Sequence, residues 1–350
     1  MSQCVQNLTT NPQGDFYDGG QMEAGLDGEI YAAWVNKDKR QVDIYMSGGA
    51  GSQFNPMPPP FPPNSVNDHP LLRYSPEDAS LYVLAPIGVN GGTALFINRW
   101  DGSQWTGAIQ ATDPDSSSEL AINFSPSSGV FHPVRRGRTY SFDVGPSSGT
   151  VTSPGPSVLR LLYNVQPIDT NGVAQRAFLR GRQCDPALTN CIDEPGWGTG
   201  ANNTSHAVGD QYSPLVRLAR PTSFSGGTYQ WKSSWSSRED DPSGDTFIIV
   251  QGDMTMIPAP GGGTMGFTLG EPVFGPLTPC PSVQPSANVQ SNNGYWGDYD
   301  DLQTIGWGVG TGSAPGVATW IQTFSDSSQG CQFNWAWTSY QLHISNVVYQ

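Results

Sequence analysis

The sequence predicts an all-β fold: a single β-propeller of about six four-stranded blades over residues 1–350. Three observations predict it. A strand–turn–strand unit recurs six times, turn-forming residues are abundant, and no stretch carries a helical hydrophobic period. The clearest copies are GQMEAGLDGEIYAAW (20–34), HPLLRYSPEDASLYVLAP (69–86), SELAINFSPSSGVFHPV (118–134) and GDYDDLQTIG followed by GVATWIQTF (297–324). PSVLRLLYNVQ (156–166) and SPLVRLARP followed by YQWKSSW (213–235) are looser copies. Units this short cannot bury their own apolar faces, so they must pack against like neighbours in a radial or stacked array.

The blades are expected to start near 20, 69, 118, 156, 213 and 297. A four-stranded blade needs about 40–50 residues, which the first three starts satisfy. Longer intervals imply loop insertions, expected near 183–208, around the first cysteine pair, and near 252–294. PMPPPFPPN (56–64) reads as a stiff extended connector between the first two blades, with polyproline recognition by a partner as the alternative. FNWAWTSY and QLHISNVVY would finish the last blade, and residues 4–16 would supply its outer strand and close the ring.

Composition bounds the function. The chain has 42 Gly and 30 Pro, and only 13% of its residues are charged. That pattern favours turns over salt-bridged surface helices. Eleven Trp, 13 Tyr and 14 Phe supply the apolar area for cores between blades. A net charge of −14 argues against gripping nucleic acid through its phosphates. No run of 18 apolar residues exists, so membrane insertion is not expected. MSQCVQNLTT is not a signal peptide. Cysteine usage nevertheless favours a secreted or cell-surface protein. Cys184 and Cys191 flank DPALTN at a spacing suited to a small disulfide-closed loop. Cys280 and Cys331 form a second plausible pair, which leaves Cys4 odd.

DIYMSGGAGSQF (43–54) and LFINRWDGSQW (95–105) resemble degenerate Asp-box hairpins, the S-x-D-x-G-x-x-W/F turns of sialidase-like, BNR-repeat propellers. GYWGDYDDL (294–302) is similar to the G-D-Y-x-G-L run that opens a late blade in bacterial members. AGLDGEIYAAW is similar to their V-D-x-D-G-x-V-Y-V-x-W pattern. The resemblance implies the propeller fold. Family members that cleave sialosides use three arginines, an Asp acid/base and a Tyr–Glu nucleophile pair. The F-R-I-P stretch that carries the first arginine is missing here, and both Asp-box copies are incomplete. The expectation is therefore a non-catalytic branch.

Aligning the six copies on their turns brings Glu23, Arg73, Asn123, Arg160, Arg217 and Gln303 to one position of the first strand. Each is polar among mostly apolar neighbours, so the set is expected to face an axial channel. There it would form either a hydrated, charge-balanced lining or an anion clamp, because arginine forks bind carboxylates in bidentate fashion. Asp298, Asp300 and Asp301 gather before the last first-strand and would offer hard oxygen ligands to Ca²⁺, the one cofactor suggested. Trp296 and Tyr299 lie in the same polar stretch, where an aromatic face would stack on a sugar ring.

The functional expectation is a secreted or surface-exposed binding module for a glycan or an extracellular protein, without catalysis. Two alternatives stand beside it: a glycoside hydrolase or lyase using the same mouth, and a structural subunit of an extracellular assembly.

Overall fold

The computed structural model describes residues 17–49, 53–66, 69–89, 92–112, 118–120, 140–167, 178–194, 211–220, 228–237, 248–257, 264–274, 301–304, 315–325 and 338–348. Among the described residues the structure is all-β, without a helix. The chain divides into two compact units, Met1–Ser116 with Cys184–Cys191, and Ser117–Gln183 with Ile192–Gln350.

The first unit holds two meanders of four antiparallel strands. One is β1 (Tyr17–Ala24), β2 (Ile30–Asn36), β3 (Gln41–Ser47) and β4 (Phe54–Pro56). The other is β5 (Leu71–Ser75), β6 (Ser80–Val89), β7 (Gly92–Trp100) and β8 (Ile109–Gln110). The interior strands are β-branched and aromatic, as a strand covered on both faces requires. In β6, SLYVLAPI is buried throughout. The last strands, β4 and β8, are only three and two residues long, which keeps the outer edges short.

The turns follow local chemistry. Gly28 takes φ +85° between β1 and β2, where the Gly25 amide donates to the Glu29 carbonyl at 2.8 Å. After β7, the Asp101 carboxylate accepts from the Ser103 and Gln104 amides, each at 2.9 Å, and from the Ser103 hydroxyl at 2.8 Å. These bonds hold the Asp101 carboxyl below its ordinary pKa, the Gln104 amide contributing most. Trp105 beyond this turn packs edge-on to Trp100, with ring centroids 5.3 Å apart.

A single apolar cluster joins the two sheets of this unit. Val35, Ile44, Leu72, Leu81 and Val83 lie at its centre, and Phe61 from the proline-rich connector inserts into it. The connector's carbonyls are held by its own chain. Asn98 Nδ2 donates to Pro60 O at 2.6 Å, and Trp105 Nε1 donates to Pro58 O at 2.7 Å. PMPPPFPPN is thus a packed wall of the core as well as a connector.

Among its described residues the second unit holds three sheets of three to five strands and a two-stranded ribbon. Its first is built from β9 (Ser118–Leu120), β10 (Tyr140–Pro146), β13 (Ser157–Pro167), β14 (Phe178–Cys184) and β15 (Cys191–Asp193). Their order is β10-β13-β14-β15, with β9 also paired to β13. A two-stranded ribbon, β11 (Gly149–Thr150) and β12 (Ser153–Pro154), projects between β10 and β13. The next meander is β16 (Gln211–Ala219), β17 (Gln230–Ser237), β18 (Ile248–Ile257) and β19 (Thr264–Phe274). The last comprises β20 (Asp301–Thr304), β21 (Pro315–Ser325) and β22 (Thr338–Val348).

Two features depart from the repeat assignment. The copies at 118 and 156 share one sheet, because Leu120 and Ser118 pair with Val165 and Pro167. The described residues form five sheets of three to five strands and the two-stranded ribbon. The 156 copy is also the second strand of its sheet, flanked by β10 and β14. Apolar residues interrupted by one polar position mark a covered strand, whether it lies first or second in a meander. In the 252–294 stretch, 252–257 lie in β18 and 264–274 in β19, and the remainder lies outside the described residues.

Candidate functional site

In the first unit, the opening strands of its two meanders bring Glu23 on β1 and Arg73 on β5 together. Arg73 Nη1 lies 3.7 Å from Glu23 Oε2, and the side chains are 10% and 26% exposed. Arg73 Nη1 also donates to its neighbour's carbonyl, Leu72 O, at 2.6 Å. This is a long ion pair in which the arginine as a whole residue is buried and the glutamate is partly exposed.

Tyrosines border this pair. Tyr31 lies opposite Glu23 across the β1–β2 ladder, and its ring stacks with that of Tyr74 at a centroid distance of 6.0 Å. Burial pushes the Tyr31 phenol up to about 12, helped by the charge of Glu29 and by Tyr74. Burial also raises Tyr74, against a hydrogen bond from the backbone at Leu26. Met22 and Leu26 on β1 and its turn stand 67% and 63% exposed.

In the second unit, β10 presents Ser141 and Asp143 to the free edge of β16. Asp143 Oδ2 accepts the Leu218 amide at 2.8 Å, and Ser141 Oγ accepts the Val216 amide at 3.1 Å. Residues two apart on a strand point their amides to the same side, so these side chains satisfy edge donors that would otherwise face no partner. Arg217, between them, directs Nη1 to Ser141 Oγ at 3.4 Å and to Val216 O at 2.9 Å, and is 7% exposed.

Arg160 differs from the other two. It lies on the second strand β13 rather than on a first strand, and it is 0% exposed. Its guanidinium carbon sits 4.7 Å from the Trp231 ring centroid, and Nε lies 3.7 Å from Glu194 Oε1. Burial draws its pKa down to about 10, against the opposing pull of Glu194. Trp231 is itself fixed by Nε1 donating to Pro146 O at 3.0 Å.

The disulfide between Cys184 and Cys191 is formed. Within the loop it closes, Asp185 caps Thr189, accepting its amide at 2.9 Å and its hydroxyl at 2.6 Å. Tyr82 donates to Asp78 Oδ2 at 2.6 Å, and Arg99 pairs with the same oxygen at 3.4 Å.

Asp301 and Gln303 lie on β20, paired with Thr319 and Val317. Asn123, Trp296, Asp298, Tyr299, Asp300, Cys4, Cys280 and Cys331 lie outside the described residues. Among the described residues, no group of three or more His, Cys, Asp or Glu gathers as metal ligands would. Ser141, Asp143, Glu194 and Trp231 were not singled out from the sequence as site residues. The alternation in YSFDVG was a readable signal for the first two, whereas the last two meet Arg160 only through the fold.

No protein family and no curated protein sequence matches the chain. Solved structures do. A Hadza microbial sialidase matches at 11% identity with a TM-score of 0.42, over 87% of this chain and 53% of that one. The polysaccharide lyase Uly1 matches at 9% identity with a TM-score of 0.45, over 93% of this chain and 57% of that one. The catalytic domain of a Coprinopsis cinerea α-L-arabinofuranosidase matches at 10% identity with a TM-score of 0.38, over 97% and 93%. The chain thus spans little more than half the length of the sialidase and lyase structures it resembles.

Proposed function

We propose that this protein is a secreted or surface-exposed carbohydrate-binding module that recognises an acidic glycan without cleaving it. The observation that carries the reading is the Glu23–Arg73 pair, a guanidinium held at 3.7 Å from an internal carboxylate and still partly open to solvent. A sugar carboxylate would compete with Glu23 for Arg73 and take its guanidinium as a fork. The exposed apolar side chain of Leu26, in the turn after β1, would cover the sugar's less polar face. In this reading Asp298, Asp300 and Asp301 hold a Ca²⁺ ion through hard oxygen ligands, and Trp296 and Tyr299 supply stacking faces.

The reading is tested by two substitutions with opposite signs. Arg73→Gln should weaken an acidic oligosaccharide by about 1.5–3 kcal/mol, the worth of a charge-assisted hydrogen bond. Glu23→Gln, which removes the internal competitor, should tighten the same ligand. Titration calorimetry reads both. Unchanged affinity in Arg73→Gln would sink the proposal, and release of a reducing end during the titration would replace it with the hydrolase reading.

A further inference from the structure

On β14 the burial of FLRGR alternates, with Leu179 and Gly181 buried and Phe178, Arg180 and Arg182 half-buried. Side chains two apart on a strand share a face at about 6.6–7 Å spacing, so one aromatic and two arginines form a row. Their partners differ. Arg182 Nε donates to Asp193 Oδ1 at 2.8 Å, and this aspartate is 68% exposed. Arg180 lies with its guanidinium carbon 5.8 Å from the Phe178 ring centroid, and its charge opposes the burial that raises the Tyr163 phenol. Among the described residues, no carboxylate pairs with Arg180. Among the described residues it is thus a partly exposed guanidinium without a carboxylate at ion-pair distance, on a chain with 16 basic and 30 acidic residues.

We propose that the Phe178–Arg180–Arg182 row with Asp193 is a second saccharide-binding site, specific for a uronic acid or similarly carboxylated sugar. The sugar carboxylate takes Arg180 as a fork, since a guanidinium carries five N–H donors in fixed geometry. The apolar face of the ring lies on Phe178. Asp193, fixed by Arg182, accepts hydroxyl groups of the same sugar, so the pair confers selectivity for a polyhydroxylated acid over a simple anion. The site does not depend on the Glu23–Arg73 surface.

The test uses the full chain with trigalacturonate and its methyl ester, which keeps the sugar and removes the charge. Arginine labelling with phenylglyoxal, read by mass spectrometry, should be slowed at Arg180 by the acid and left unchanged by the ester. Labelling at Arg180 that is equal under both conditions would overturn the proposal. Protection confined to Arg73 would do the same while leaving the first site standing. In the Arg73→Gln background, adding Arg180→Gln should lower trigalacturonate affinity at least about tenfold, with Arg180→Lys intermediate because it keeps charge without the fork. Equal affinity in folded Arg180→Gln protein would overturn it too. The wild-type labelling experiment decides the matter if that variant does not fold.

Discussion

The most demanding consequence of the structure concerns Arg160 and Glu194. The guanidinium is fully buried, the carboxylate is 1% exposed, and they meet at 3.7 Å beneath Trp231. Burial lowers the Arg160 pKa to about 10 even with Glu194 opposing it, a net cost of about 3 kcal/mol for keeping the charge. Glu194 opposes that cost and the indole face adds a cation–π term. Glu194→Ala should therefore cost about 3–5 kcal/mol, because it leaves a buried cation without its counter-charge. The double variant Arg160→Met with Glu194→Leu removes both charges and restores apolar volume. It should recover most of that loss and fall within about 1 kcal/mol of the natural protein or above it. Urea unfolding followed by tryptophan fluorescence measures all three proteins, provided their slopes agree. A loss below about 1 kcal/mol for Glu194→Ala would refute the reasoning. So would a double variant as unstable as the two single losses added together.

Two further outcomes follow from the same physics. Tyr31 is neutral when protonated, and its folded-state pKa of about 12 exceeds the value of about 10 expected when unfolded. The folded state therefore holds this proton more tightly, so its contribution is intact below pH 10 and is lost as pH rises towards 12. Melting temperature should fall steeply over that window. Absorbance at 295 nm should show the buried tyrosines ionising only as the fold is lost, whereas full ionisation near pH 10 in folded protein would contradict the burial assignment. Replacing Cys184 and Cys191 together by Ala opens an eight-residue loop, given their separation of 7, and should cost about 2.5 kcal/mol. An unchanged melting temperature would show that the loop is held by Asp185 and its hydrogen bonds alone.

How much was legible in the sequence depended on whether the signal was local. Strand character, turn positions at Gly28 and Asp101, and the Cys184–Cys191 pairing all follow from residues close in the chain. Meander membership was less legible. The run around Arg160 has the same apolar–polar pattern as that around Arg73, yet one strand is interior and the other is the first of its sheet. Strand pairing decides between them, and pattern alone does not report it. The Glu23–Arg73 pairing was approached through the shared register, and the structure supplies its distance. Glu194 and Trp231 are 34 and 71 positions beyond Arg160 in sequence, so no local rule would have joined them. The arginine row on β14 is readable as F-L-R-G-R alternation, but the Asp193 carboxylate beside it comes from the next strand of the sheet.

The measurement that bears most directly on function is a glycan-array screen of the folded protein, run in calcium and again in EDTA. The account predicts selective retention of carboxylated glycans over their neutral counterparts, intact glycans after incubation, and weaker binding in EDTA. Indifference to glycan charge, or cleavage of the bound glycans, would contradict it.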